Sequence, residues 1–153
     1  MKNFFRKVAF GIGPNEQAPA DPLKWALDQV NDVPELSWKG KIYSEKELRK
    51  HYRDWVYGDR KVLRKKYKDN KTLYKTHKDI LRHKTGQKFW ESLEISIRHN
   101  EGINSSHPVL AKLWMFWGNF FAISEKDFLA NYSTGAYQRE IIRPNLNQSF
   151  EKM

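Results

Sequence analysis

Residues 113–124 read LWMFWGNFFAIS, a charge-free stretch in which aromatic and aliphatic side chains predominate. Together with the VLAK that precedes it, this stretch predicts one helix with a broad apolar face. The face consists of Val109, Leu113, Phe116, Trp117 and Phe120. Burial of each aromatic ring contributes about 2–3 kcal/mol at the usual area coefficient. We therefore expect a helix end that anchors the core, with Asn119 satisfying its last backbone groups; the alternative is a cofactor box lined by the same rings.

The composition is that of a folded protein. A chain of 153 residues is long enough for one domain with a core, and 14% aromatic residues offset a hydrophobic content of only 39%. Cysteine is absent, which excludes disulfides and thiolate metal sites. No apolar run approaches the roughly 18 residues of a membrane span. Arg6 and Lys7 interrupt the apolar start, so we expect no signal peptide and, by default, a cytoplasmic protein.

Helix signals occur along the chain, and strand alternation does not. In ADPLKWALDQV, Asp21 is a predicted N-cap, Pro22 fits the first helical position, and Leu23, Leu27 and Val30 fall on one face. The predicted fold is therefore all-α, with an irregular N-terminal arm at 1–18 followed by about five to six helices.

Later helices carry their own start and stop signals. Ser44 and Glu47 form a predicted capping box, and Gly58 is the expected stop of that helix. Further helices are expected within 60–84, from about Phe89 to residue 99, from Pro108, and in TGAYQREIIR before Pro144. We expect residues 1–153 to form a single partial helical domain. Its three segments are an arm and first helix at 1–38, a basic helical segment at 39–88, and an aromatic core segment at 89–153.

Positive charge is concentrated in the middle of the chain. Residues 39–88 hold 18 Lys and Arg against 6 Asp and Glu, a net of +12, whereas the whole chain carries +10. The candidate nucleic-acid contacts in this block are Lys61, Arg64, Lys65, Lys66 and Lys68, with Tyr67 and Tyr74 interleaved for stacking on bases. The alternative is a lysine-rich helix with a solvated surface, and we favour it because the lysines scatter around the helix.

Two words in the last third resemble a bacterial family called domain of unknown function 1800. LWMFWGNFFAIS resembles that family's apolar-F-W-x-N-H-F-x-V-S, and GAYQREIIRPNLNQSF resembles its A-Y-E-R-x-x-I-R-P-H-x-x-x-x-F. The opening AFGIGPNEQAPADPLKWALDQV is similar to its F-G-x-G-P and D-P-x-x-W-L. Two family histidines are replaced, by Phe120 and Asn145, which argues against His-dependent chemistry.

The resemblance implies a candidate motif or cleft and no established activity. The matching positions of interest are Asn119, Arg139, Glu140 and Arg143. In the functional interpretation, Arg143 clamps an anion and Glu140 acts as an acid. In the structural interpretation, Asn119 ties a helix end, Arg143 pairs with an acid, and Arg139 and Glu140 form an ion pair. The five histidines show no metal-ligand spacing, and neither a metal nor a cofactor is predicted.

Family members are several hundred residues long, often exported, and found beside a second uncharacterised protein. The resemblance therefore implies that this chain is the N-terminal part of a larger helical domain, with exposed apolar surface near 141–153. We expect a structural or interaction module without catalysis of its own, whose partner is another protein or the rest of its own chain. The alternatives are a nucleic-acid-binding helical protein that uses 39–88, and part of a hydrolase-like enzyme completed by later residues.

Overall fold

A computed structural model describes residues 2–12, 16–123 and 129–152, and the regular structure in these ranges is helical without strands. The predicted all-α class is confirmed. The α-helices are α1 (Lys2–Val8), α2 (Pro22–Asn31), α3 (Glu45–Arg53), α4 (Arg60–Lys66), α5 (Lys71–Lys84), α6 (Gln87–Asn104), α7 (Pro108–Phe120) and α8 (Ala130–Tyr137). Pro14 and Ser124, which belong to the motif words, lie outside the described residues.

Short irregular helices complete the chain. A π-helical segment, Asp54–Asp59, joins α3 to α4, and a second, Gln138–Ile142, continues α8. Two 3₁₀ turns follow, Arg143–Asn145 and Phe150–Lys152. None of the described helices is both long and apolar enough to span a membrane.

The predicted caps are confirmed. The Asp21 side chain accepts a hydrogen bond from the Lys24 backbone N–H at 3.0 Å, and Pro22 occupies the first turn of α2. Ser44 and Glu47 form the reciprocal capping box at the start of α3. Each cap satisfies backbone N–H groups that the first helical turn leaves without partners, which is why these short signals locate a helix start so reliably.

Three predicted boundaries differ from the structure. The N-terminal arm contains the short helix α1, and the described residues between α1 and Asp21 are irregular. Gly58 does not end α3, because the chain runs on through the π-helical segment around the buried Trp55. Helix α6 continues to Asn104, beyond the expected end near residue 99, and its last turns include the buried Glu101.

The chain divides into two compact units. The first unit comprises Met1–Lys41, Ser96–Ala122 and Gln138–Met153, and the second comprises Ile42–Ile95 and Ile123–Tyr137. The core of the second unit contains Leu48, Trp55, Trp90, Tyr132 and Ala136. In the first unit a buried cluster contains Ala9, Ala26 and Val109, with Phe4, Val8, Trp25, Val30 and Leu113 packed against it.

The first unit shows which face of α2 is buried, and it is not the face predicted from Leu23 and Leu27. These two side chains are 62% and 56% exposed, whereas Ala26 is buried and Trp25 packs edge-on against Phe5, with ring centroids 5.3 Å apart. A Trp buries more apolar area than a Leu, so the indole determines the rotation of this short helix.

Candidate functional site

Helix α7 carries the first family word, and it is anchored by a different set of side chains from the one expected. Trp114 is buried, together with Val109, Leu110 and Ala111, whereas Phe116 and Phe120 are 58% and 62% exposed. The prediction that these two phenylalanines belong to the core was therefore wrong. Because α7 is apolar on nearly every side, its periodicity did not show which face is buried.

Exposed and half-buried rings at the end of α7, together with Phe150, form one group, which we call the aromatic cluster. Its members are Phe116, Trp117, Phe120, Phe121 and Phe150. Trp117 is its centre, at 5.1 to 5.9 Å between ring centroids from the other four. Phe150 is 58% exposed and Ile141 is 46% exposed, which confirms exposed apolar surface in the 141–153 segment.

The end of α7 is satisfied by Gln138 and not by Asn119. The Gln138 side-chain N–H donates to the Gly118 carbonyl at 3.1 Å, and the Gln138 backbone carbonyl accepts from Trp114 Nε1 at 2.9 Å. Arg98 in turn donates to Gln138 Oε1 at 2.8 Å. The side chain of Asn119 is exposed and makes no hydrogen bond to a residue of the described ranges.

Arg143 is buried in a network within the first unit. Its Nη2 donates to Glu101 Oε1 at 3.0 Å and to the Pro34 carbonyl at 2.6 Å. Its guanidinium carbon lies 5.8 Å from the centre of the Trp114 ring, within the range of a cation–π interaction. The arginine therefore joins α6, α7 and the segment that follows α2.

The partner carboxylate, Glu101, is 1% exposed and hydrogen-bonded on both oxygens. Its Oε2 accepts from the backbone N–H and the hydroxyl of Ser37, at 2.8 and 2.7 Å. Asn100 donates to the same hydroxyl at 2.9 Å. Burial raises the pKa of Glu101, but the Ser37 hydrogen bonds and Arg143 outweigh it and hold the pKa below its ordinary value.

Sequence reasoning missed Glu101, since we expected the helix that begins near Phe89 to end near residue 99. The available signal was misleading: the nearest Lys or Arg on the helix is Arg98, three positions before Glu101, but Arg98 bonds Gln138 instead. Its partner Arg143 lies 42 positions away. Sequence spacing alone does not show such a pairing.

The four motif residues are not gathered into one cluster of hydrogen bonds. The Arg139 side chain is 4% exposed and lies 3.6 Å from the Glu140 carboxylate, which is 40% exposed. Within the described ranges, Arg143 makes no hydrogen bond or ion pair with Asn119 or Glu140. Glu101 neutralises the charge of Arg143, and the hydrogen bonds of this pair fix the position of the backbone at Pro34 and Ser37.

The candidate basic residues all lie in the second unit and are all exposed: Lys61, Arg64, Lys65, Lys66 and Lys68. Lys61, Arg64 and Lys65 lie on the side of α4 away from the buried Leu63, whereas Lys66, at i+3 from Leu63, does not. Lys66 Nζ lies 5.3 Å from the centre of the Tyr67 ring, and Lys68 follows the helix in a turn.

Comparison with known proteins gives one match. A family model described as "Protein of unknown function (DUF1800)" matches residues 3–153. No curated protein and no solved structure matches the chain. The match includes both motifs, α7 and the buried Arg143. Because it extends over nearly the whole chain, the chain belongs to the DUF1800 family.

Proposed function

We propose that this chain is a structural or interaction module, in which the motif residues maintain the fold and the aromatic cluster contacts another protein. The observation that carries this proposal is the state of Arg143. Its guanidinium is buried and bonded to Glu101 and to the Pro34 carbonyl, so it serves the protein's own structure. The hydrolase-like alternative draws no support from an arginine that is already paired.

The aromatic cluster supplies the interaction surface in this proposal. Phe116, Phe120 and Phe150 each expose more than half of their accessible area, and Trp117 contacts all three. Single exposed apolar side chains are ordinary in soluble proteins, whereas a contiguous group of rings is typical of binding sites. Residues 113–123 carry no charge, so the matching surface on the partner protein is apolar, such as the hydrophobic face of a helix.

The test is site-specific photo-crosslinking in cells that contain the natural partner. A photoreactive phenylalanine analogue at position 120 is expected to cross-link one defined protein, which then binds the purified chain. The matched control places the analogue at Leu23, which is also 62% exposed and lies on α2 of the same unit. Phe150→Ser is expected to abolish the cross-link at position 120 without unfolding the chain, because Phe150 is exposed.

Two results would contradict the proposal. One is equal cross-linking from positions 120 and 23, which indicates non-specific contact. The other is an unchanged cross-link in Phe150→Ser, which indicates that the rings do not form one binding surface. Hydrophobic dye fluorescence serves as an independent readout, and it is expected to fall in Phe150→Ser but not in Leu23→Ser.

A further inference from the structure

Cations form continuous rows on both α4 and α5. On α4, Lys61, Arg64 and Lys65 are spaced i, i+3 and i+4 on the side away from Leu63. On α5, Lys71, Lys75 and Lys78 are spaced i, i+4 and i+7, which places them on one face as well. We call these six side chains the basic surface.

The two rows converge at Tyr74. Arg60 and Arg64 of α4 lie close enough to its hydroxyl to lower its pKa, and Lys78 Nζ lies 6.0 Å from the centre of its ring. Burial raises the pKa of Tyr74, but the two arginines and the charge of Lys78 outweigh it and lower the pKa. The phenol therefore lies among positive charges from both helices.

A ring stack holds the helix pair together. Tyr67, at the end of α4, stacks on His77 of α5 with ring centroids 4.6 Å apart and planes at 6°. The turn between the helices is short, and Asn70 caps α5 by accepting from the Leu73 backbone N–H at 3.0 Å. The cations are thus presented on a preorganised support, which lowers the entropy cost of binding a ligand.

Negative charge is scarce on this helix pair. Residues 60–88 contain 12 Lys and Arg but only two acids, Asp69 and Asp79. Asp79 lies at i+4 from Lys75, at the border of the basic surface, and is 3.7 Å from Arg82. The exposed apolar residues of α5, Leu73 and Ile80, fall on the opposite flank of the helix from Lys71 and Lys75.

We propose that the basic surface of α4 and α5 binds the phosphate backbone of a nucleic acid without sequence specificity. On α4 the exposed Val62 borders the cations but does not separate them, and such rows of cations suit a regular polyanion, whose affinity comes from the release of counterions. A protein partner would be expected to bury apolar side chains together with the charges. On α5, however, the exposed Leu73 and Ile80 lie on the flank opposite Lys71 and Lys75. Duplex and single-stranded nucleic acids share the phosphodiester chemistry, and the experiment distinguishes them.

The test is fluorescence anisotropy with labelled mixed-sequence duplex DNA and with labelled single-stranded RNA, over a range of salt concentrations. Binding is expected to weaken linearly in a plot of log K against log salt. Lys71→Gln/Lys75→Gln is expected to reduce the slope by about 0.9 for each duplex phosphate that a lysine no longer neutralises, about 2 in total. The nucleic acid that binds more tightly and shows the steeper salt dependence is the preferred ligand.

The matched control is Lys46→Gln/Lys50→Gln, an exposed lysine pair at the same i, i+4 spacing on α3 of the same unit. It removes the same charge, so an equal reduction of slope in the control would overturn the proposal in favour of non-specific attraction. Equally tight binding of polyglutamate would overturn it in favour of an acidic protein partner. Circular dichroism of each variant verifies that the helices are retained.

Discussion

At the scale of single residues, the main feature is that Arg143 and Glu101 stabilise each other in a place where neither is stable alone. Both side chains are at least nine-tenths buried, at 8% and 2% exposed. An unpaired buried charge costs several kcal/mol, and here the ion pair and the Ser37 and Pro34 hydrogen bonds offset that cost. The network therefore fixes the geometry of the first unit more than it adds net stability.

Arg143→Gln is expected to lower the free energy of unfolding by about 3–5 kcal/mol, because it leaves Glu101 charged and buried. Urea denaturation measures the change. The control is Arg49→Gln on α3, whose pair with Glu45 is exposed and is expected to contribute less than about 1 kcal/mol. Similar losses for the two variants would contradict the structural role that we assign to Arg143.

Glu101 also gives the first unit a specific acid sensitivity. Its pKa is lower in the folded protein than its ordinary value of 4.5, so the carboxylate stabilises the fold above pH 4.5. That stability is lost as the pH falls through the lowered folded pKa. Glu101→Gln is expected to flatten the dependence of unfolding free energy on pH below 4.5. The exposed Glu35→Gln serves as the control, and an equal flattening there would exclude Glu101 as the cause.

At the scale of elements, helix starts were predictable, and the buried faces of α2 and α7 were not. Asp21, Ser44 and Glu47 act on backbone groups within one turn of themselves, so their local sequence is sufficient. The buried face of α2 or α7 depends instead on what packs against it, and both helices have apolar side chains on more than one side. In the same way, Arg143 was identifiable from its motif, but its partner Glu101 was not, because tertiary structure brings them together.

Helix α8 approaches α6 closely at Gly135, in the second unit. A Cβ added at Gly135 would lie 2.5 Å from Cβ of Glu94, which is too near the backbone for a simple side-chain rotation to relieve. Gly135→Ala is therefore expected to destabilise the protein by about 1–3 kcal/mol.

The matched control is Gly58→Ala, where nothing lies within 4 Å. Gly58→Ala lowers the entropy of the unfolded chain, so the expected effect is neutral or a stabilisation of up to about 1 kcal/mol. Thermal unfolding of both variants separates a steric effect from a general preference for alanine in helices.

At the scale of the whole molecule, charge and apolar surface occupy different parts of the chain. Residues 39–88 carry a net charge of +12, and the remainder carries −2. The aromatic cluster belongs to the first unit and the basic surface to the second. The two proposed contacts thus use different physics, and salt is expected to weaken nucleic-acid binding while leaving the apolar contact largely unchanged.

The same charge distribution opposes folding, since like charges along α4 and α5 repel one another most strongly in the folded state. Raising sodium chloride from about 0.01 M to about 0.15 M shortens the Debye length from about 30 Å to about 8 Å. The unfolding midpoint is therefore expected to rise by a few degrees, equivalent to about 1 kcal/mol for a chain of this size. Lys71→Gln/Lys75→Gln, which relieves part of the repulsion, is expected to show a higher midpoint at low salt and a smaller gain on adding salt. A midpoint that falls with salt would instead indicate that attractive ion pairs outweigh the repulsion along the basic helices.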